Sequence, residues 1–316
     1  MEAIKDFDDF FRLKIEPLLP ELEQEDKSII HWRNAAIISG AILLFFIAGG
    51  IFRVLDDASL FPITLTAGGV AIISLYNYIV KDNNYVDKYK ATIIQSVISY
   101  LNPGLEYKPD ITIPEKEYRQ SGLYRHNYDY YDGGDLIKGI YKNVSFHCSE
   151  LRTMYDNLGG PQGNQRVKIF KGLFFSAVVN PNFTGGTYVW IREREQLAVS
   201  IADEEYRLLP FPETSHYHTG NTLFESVFSV YTTSRAQAAT VLNNEMQQLL
   251  LKFRSQIQRN FVFSVVMGKC YVAIPVKEDL FEPADNPDDK EEIKKYFFSV
   301  LLILSIINQL QLAKLQ

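Results

Sequence analysis

Two stretches of this chain carry no charge at all: Ala35–Phe52, AAIISGAILLFFIAGGIF, and Phe61–Val80, FPITLTAGGVAIISLYNYIV. Each runs for about 18 to 20 residues, the length at which a helix crosses a hydrocarbon core of roughly 30 Å. A segment that crosses must satisfy its own backbone polar groups, so both are expected as helices. The connection Arg53–Leu60 is short and contains Asp56 and Asp57, which makes the helices antiparallel neighbours. Ala35, Phe52, Phe61 and Val80 thus mark the limits of an expected transmembrane hairpin. Tyr76 and Tyr78 fall where an interfacial aromatic belt would lie. Gly40, Gly49, Gly50, Gly68 and Gly69 offer small surfaces for close helix approach, or are simply tolerated glycines. About thirty charged, amphipathic residues precede the first run and no cleavage-like site follows it, which separates it from a signal peptide. Two buried core helices of a soluble protein would have a similar composition, but two uncharged runs of spanning length favour the membrane hairpin, and a reporter fusion after Lys90 decides.

Basic residues set the direction. Lys27 and Arg33 precede the first run and Lys81, Lys88 and Lys90 follow the second, while the connection has only Arg53. The excess of lysine and arginine on one side places both termini in the cytoplasm, with the protein multi-pass in a cytoplasmic membrane.

Residues 1–34 form an amphipathic segment in which Phe7, Phe11, Ile15, Leu18 and Leu22 recur at helical spacing; Pro17 and Pro20 predict two short helices. Its acidic residues favour packing on the protein over lying on an anionic lipid surface. Residues 81–104 read as a helical stalk through Val86, Tyr89, Ile93, Val97 and Tyr100, closed by Asn102-Pro103-Gly104. Residues 105–316 read as a cytosolic α+β domain. Val167–Val179 and Thr187–Arg192 are expected as paired strands, Phe224–Tyr231 as another, and Phe261–Met267 with Cys270–Pro275 as a hairpin about Gly268-Lys269. Thr233 or Ser234 caps one helix carrying Ala238, Val241, Leu242, Leu249, Phe253 and Ile257 on its apolar face. Asn286-Pro287-Asp288-Asp289 opens a last helix whose apolar run Phe297–Ile307 is too short to span a bilayer and faces the core. Strands with segregated helices predict a mainly antiparallel sheet.

The net charge of −6 and pI of about 5.5 give no global attraction for a polyanion, and no basic patch stands out, so nucleic acid is excluded as a partner. Only Cys148 and Cys270 occur, which leans towards a reducing compartment. No phosphate-loop, nucleophile-elbow, zinc-protease or dinucleotide fingerprint appears, and no cofactor is expected.

The most suggestive polar patch is YDYYDGGD, where Asp129, Asp132 and Asp135 surround a Gly-Gly turn beyond Arg125 and His126. Clustered carboxylates hold hard cations, but the spacing does not fit a helix-loop-helix calcium loop, and a tyrosine-rich polar turn is the plainer reading. His216 and His218 share a face of an extended strand, as two zinc ligands would, without a recognisable partner pair. In His147-Cys148-Ser149-Glu150 the histidine and cysteine point to opposite faces of a strand, so Cys148 is expected to be structural. Gly159-Gly160-Pro161-Gln162-Gly163 reads as a turn, and Arg192-Glu193-Arg194-Glu195 as a solvated strand end.

FKGLFFSAVVNPNF (Phe170–Phe183), LFESVFSVYTTSRAQAATVLNNEM (Leu223–Met246) and FSVVMGKCYVAIPVKEDLFEP (Phe263–Pro283) resemble a bacterial family defined by the domain of unknown function thirty-one thirty-seven. The likeness extends through both apolar runs, YKPD (Tyr107–Asp110), YRQSGLY (Tyr118–Tyr124) and SEL (Ser149–Leu151). The resemblance implies a bacterial two-span membrane protein, with no catalytic residues to carry over. The expected partners are the lipid bilayer, a second copy or other envelope membrane proteins. The leading expectation is a membrane-anchored interaction or scaffolding protein on the cytoplasmic face. Its rivals are a membrane-associated hydrolase using acids such as Asp132 and Asp135, and an oligomeric channel or transporter component.

Overall fold

Helical propensity and proline placement shape the first part of the chain. The computed structural model describes residues 7–51, 57–124, 127–160, 163–192, 213–284 and 286–315. Residues 7–10 are helical and pass through a π-helical turn, Phe11–Ile15, and a tight 3-10 turn, Glu16–Leu18, into α1 (Leu19–Ile51). The prolines do not divide this stretch into two helices. Pro17 occupies the start of the 3-10 turn and Pro20 the first turn of α1, where a missing N–H costs nothing. α2 (Asp57–Tyr89) runs on through a π-turn, Lys90–Ile94, into α3 (Gln95–Leu101), so the expected stalk is one continuous helical path. Phe52 and Arg53–Asp56 lie outside the described residues.

α1 and α2 each contain a window long and apolar enough to cross a membrane, and only 6% of each window is buried inside the protein. The two helices pack along a narrow seam where Ser39 and Ser74 are buried and Leu43 lies against Gly68, while Gly40 and Gly69 face open space. Small hydroxyl residues therefore line the seam, with Gly68 beside them. Ile37, Ile38, Leu44, Phe45, Phe61, Leu65 and Ile72 project outward.

The chain divides into two units, Met1–Tyr100 with Phe281–Phe297, and Leu101–Leu280 with Phe298–Gln316. In the first unit the N-terminal stripe packs on the protein: Phe7 meets Phe297 edge-on at 5.4 Å, and Phe10 lies tilted against Phe297 at 5.5 Å and Tyr100 at 4.7 Å. Asp8 pairs with Lys290 at 2.7 Å and the nearly buried Lys90 with Glu282 at 3.0 Å.

The second unit is built on one nine-stranded antiparallel sheet: β1 (Leu105–Lys108), β2 (Tyr130–Tyr141), β3 (Val144–Gly160), β4 (Gly163–Val178), β5 (Gly186–Ile191), β6 (Ser215–His216), β7 (Phe228–Thr232), β8 (Val262–Val266) and β9 (Lys269–Pro275), ordered β1-β2-β3-β4-β9-β8-β5-β7-β6. β4 and β5 are not partners as expected. β8 and β9 insert between them, because β5 is buried at every position and takes a neighbour on each side. The β8–β9 turn is centred on Met267-Gly268, one residue earlier than expected; both have positive φ (47° and 79°), the geometry of a tight two-residue hairpin.

The expected strand Phe224–Tyr231 begins instead as a short helix, α5 (Thr222–Val227), followed by α6 (Arg235–Val241) and α7 (Asn244–Ile257). Asn221 nucleates α5 by accepting the Phe224 N–H, and Glu225 reaches back to the N–H groups of Thr219 and Gly220. Ser234 caps α6 as expected, but Asn243 accepts the Met246 N–H and starts a separate helix where one had been expected. Asp289, rather than Asn286, caps the last helix, α8 (Lys290–Gln309), through the N–H groups of Glu291 and Glu292.

Side-chain alternation gives the sheet two apolar faces. Phe174, Leu151, Tyr271, Ala273 and Trp190 lie on one, beneath α4 (Glu115–Ser121) and its flanks. Phe175, Cys148, Val272 and Phe263 lie on the other, where Phe253 of α7 meets Phe261 at 5.1 Å. Gly133 and Gly134 are closely approached from two sides: a Cβ on Gly133 would sit 2.3 Å from the Glu150 carbonyl oxygen of β3 and 3.0 Å from Thr112 Oγ1, and one on Gly134 2.7 Å from the Pro109 carbonyl oxygen. Gly133→Ala is expected to cost about 1–3 kcal/mol as the strands are forced apart. It is read as a lower unfolding midpoint of the detergent-solubilised full chain, followed through the buried Trp190.

Candidate functional site

The segment expected as a tyrosine-rich turn is strand. Residues from Tyr130 belong to β2, and the ladder with β3 is interrupted by a bulge between Gly134 and Ile137. Asp135 sits at the bulge with φ 59°, buried, its carboxylate accepting the Tyr107 hydroxyl. Asp132 accepts the N–H of Gly133, and Asp129 the N–H of Asp156 at 2.7 Å. Each carboxylate is thus engaged locally. Among the described residues no three His, Cys, Asp or Glu side chains stand where they could hold a metal ion together. Arg125 and His126 lie outside the described residues, as do Pro161, Gln162 and Glu193–Glu195.

His216 and His218 are brought together: His216 Nδ1 is 3.2 Å from His218 Nε2, the latter ring's Nδ1 lies 3.7 Å from Glu225, and His216 stands edge-on to Tyr231. Cys148 and Cys270 are free and fully buried in apolar surroundings, which push both thiols up and keep them protonated and inert.

His147 faces away from Cys148 and into a polar cluster that the sequence did not reveal. Glu117 of α4, nearly buried, reaches the sheet where three strands lie side by side. Its Oε2 accepts the Ser176 hydroxyl at 2.6 Å from β4 and lies 3.3 Å from the Lys269 ammonium of β9, while its Oε1 is 3.2 Å from His147 Nδ1 of β3. The register explains the meeting: His147 opposes Ser176, and Lys269 opposes Val178 on the same face. Burial by itself would raise the carboxyl's pKa, but the bonds from His147 and Ser176 and the charge of Lys269 outweigh it and hold the group near 2. A hollow of about 20 Å³ between His147, Ser176 and Lys269 has room for one water.

This geometry fastens rather than catalyses. The serine hydroxyl donates straight to the carboxylate, and the imidazole meets the other oxygen of the same carboxylate, so no base stands between a nucleophile and an orienting acid. The neighbouring polar bonds have the same purpose: Tyr118 to Thr153 at 3.0 Å, Ser264 to the Ser121 carbonyl at 2.8 Å, and the Ile113 N–H to Ser149 at 3.1 Å all tie α4 and its flanks to the sheet. One signal for the cluster was available, the lone Ser176 within the apolar run FFSAVV.

Fold and site together define a class: mixed helices and antiparallel sheet, with two long apolar helices near the N-terminus and a carboxylate-clamped helix on the sheet. Residues 168–312, from within β4 to just beyond α8, match the model of the family described as "Protein of unknown function (DUF3137)", and this part of the chain is a domain of that family. Among curated proteins nothing matches. Among solved structures, the crystal structure of the mycobacterial trehalose monomycolate transport factor A, TtfA, is similar at a TM-score of 0.33 with 8% identity, over 69% of this chain and 93% of that one. That score is too low to identify a shared fold.

The clamp has a pH signature. Folding depresses the Glu117 pKa from its ordinary 4.5 to about 2, so its stabilisation is fully present above pH 4.5 and fades as pH falls towards 2. The shift corresponds to about 3 kcal/mol. Glu117→Gln should lower the unfolding midpoint at neutral pH and flatten the acid limb of the stability profile, with Ser176→Ala costing about 1 kcal/mol. Parallel acid limbs for wild type and E117Q would count against this account.

Proposed function

We propose that this chain is a membrane-anchored interaction protein. Its helical hairpin crosses a bacterial cytoplasmic membrane twice with both termini in the cytoplasm, and its sheet domain presents a docking scaffold at the cytoplasmic face. The observation that carries the reading is exposure: both apolar windows bury only 6% of their residues within the protein, the reverse of a soluble core helix. Large aliphatic and aromatic side chains around both helices have no protein cover, and hydrocarbon supplies it. Lys27, Arg33, Lys81, Lys88 and Lys90 lie at the same end of the antiparallel pair, which supports cytoplasmic placement of that end.

Scaffolding is supported by what the polar groups of the sheet domain do. Glu117, His147, Ser176 and Asp135 are engaged in holding α4, β1 and β2 in place. The partner is a second copy or another envelope membrane protein, acting on a rigid sheet rather than on a reacting centre.

Alkaline phosphatase joined after Lys90 should be inactive, and placed between Arg53 and Asp56 active; activity after Lys90 would overturn the topology. Crosslinking in native membranes should recover the chain with a partner or with itself. Isolated monomers alone would remove the interaction role.

A further inference from the structure

At the charged end of the helix pair, α1 and α2 separate to form a polar cleft of about 490 Å³, lined by Glu21, Gln24, Glu25, Ser28, Ile29, Lys81 and Asn84. Its volume falls within the usual range of small-ligand sites. At 1.5 Å per residue, Lys81 is about 2 Å and Asn84 about 6 Å beyond the apolar limit at Val80, and Ser28 is about 10 Å before Ala35. On the membrane reading proposed above, Lys81 and Asn84 stand at the level of the lipid headgroups, a layer about 5–7 Å deep on each side of the hydrocarbon, and Ser28 lies just beyond it on the cytoplasmic side.

The charges of the cleft are unevenly arranged. On the α1 side Glu21 and Glu25 share a single cation, Lys88, whose ammonium lies 2.5 Å from each carboxylate. Two carboxylates with one ammonium leave that wall one charge negative. On the α2 side Lys81 is exposed and, among the described residues, has no carboxylate partner. The wall it forms is positive. Gln24, Ser28 and Asn84 add uncharged donors and acceptors between the two, and Ile29 supplies an apolar surface at the membrane side.

We propose that this cleft binds a phosphoethanolamine group, presented by a zwitterionic lipid of the surrounding leaflet. Lys81 takes the phosphate, and the surplus charge of the Glu21–Glu25–Lys88 wall takes the primary ammonium, whose three N–H donors suit carboxylates and amide oxygens. A purely anionic headgroup satisfies Lys81 and is repelled by the opposite wall. A quaternary ammonium brings no donors.

The full chain, reconstituted in vesicles of equal phosphatidylethanolamine and phosphatidylglycerol and released into native mass spectrometry, should retain phosphatidylethanolamine preferentially. Lys81→Glu and Glu21→Gln/Glu25→Gln should each reduce the preference by about tenfold. Among the described residues Lys81 has no carboxylate partner, so K81E tests the site without loosening the helix pair. O-phosphoethanolamine added to the wild-type chain in detergent should displace the retained lipid; if it binds there while vesicles show no preference, the group comes from a free small molecule and the lipid source is wrong. Equal retention of both lipids with no binding of O-phosphoethanolamine, or a preference unchanged in both variants, would overturn the proposal. Alkaline carbonate extraction separates this from failure of the membrane reading: a chain released by carbonate is no integral membrane protein, whereas one that resists it and shows no preference refutes the cleft alone.

Discussion

The apolar exterior of two paired helices is the constraint from which the rest follows. α1 and α2 bury only a seam against each other, and Ile37, Ile38, Leu44, Phe45, Leu65 and Ile72 point outward from it. Leaving side chains of this size in water forfeits about 1.5–3 kcal/mol each, so these six alone forfeit on the order of 10 kcal/mol. The entire stability of a typical domain is about 5–15 kcal/mol. The membrane placement proposed above would cover these side chains, in a medium where the helix backbone is already satisfied and little mutual burial is needed. The buried Ser39 returns its hydroxyl to the Ala35 carbonyl at 2.6 Å, so this seam donor is satisfied within its own helix.

The sheet domain answers a different requirement. A nine-stranded antiparallel sheet with two apolar faces needs cover on both, and α4 is only seven residues long. A helix that short buries too little to hold itself by apolar area and gains little from its own hydrogen bonds. Aromatic stacking supplies part of the attachment, with Tyr118 5.4 Å from Phe174 and 6.0 Å from Tyr124. Polar fasteners supply the rest. Removing water from a carboxylate is costly unless its lone pairs are met, and Glu117 is tolerated because three strands each contribute a partner. The clamp consequently depends on correct register among β3, β4 and β9, since a slip of one residue would turn His147 or Ser176 to the other face.

How far the fold was legible depended on the range of the interaction that decides each element. The apolar runs were plain because crossing length is a local property of sequence. The β8–β9 hairpin and the Ser234 cap were plain because turns and caps are settled within four residues. Phe224–Tyr231 misled because its apolar pattern suits a strand, while the helix over its first half is fixed by Asn221 and Glu225 bonding to backbone on either side. The partners of β5 were hidden because β8 comes some seventy residues later, and two-faced burial says only that a strand is central. The candidate acids drew attention as a cluster along the chain, yet extended backbone separates them and gives each its own partner. Glu117, His147, Ser176 and Lys269 are far apart in sequence and meet only through sheet order, so apart from the lone Ser176 no spacing announced them.

The lysines used to orient the hairpin show how one set of charges serves two stages. In the folded protein Lys88 is bridged by Glu21 and Glu25, and Lys90 is held by Glu282, so their fields are largely neutralised. That does not weaken the topological argument, because orientation is decided on the inserting chain, where acidic residues count for little and Glu282 is distant in sequence. The same cations then become structural. Lys88 joins α1 to α2 beyond the apolar runs through Glu21 and Glu25. Lys81, nearest the apolar limit, has no carboxylate partner among the described residues. On the membrane placement proposed above, a cation at that depth that the described fold does not neutralise favours a phosphate, and that is the physical link between the orientation argument and the proposed headgroup cleft.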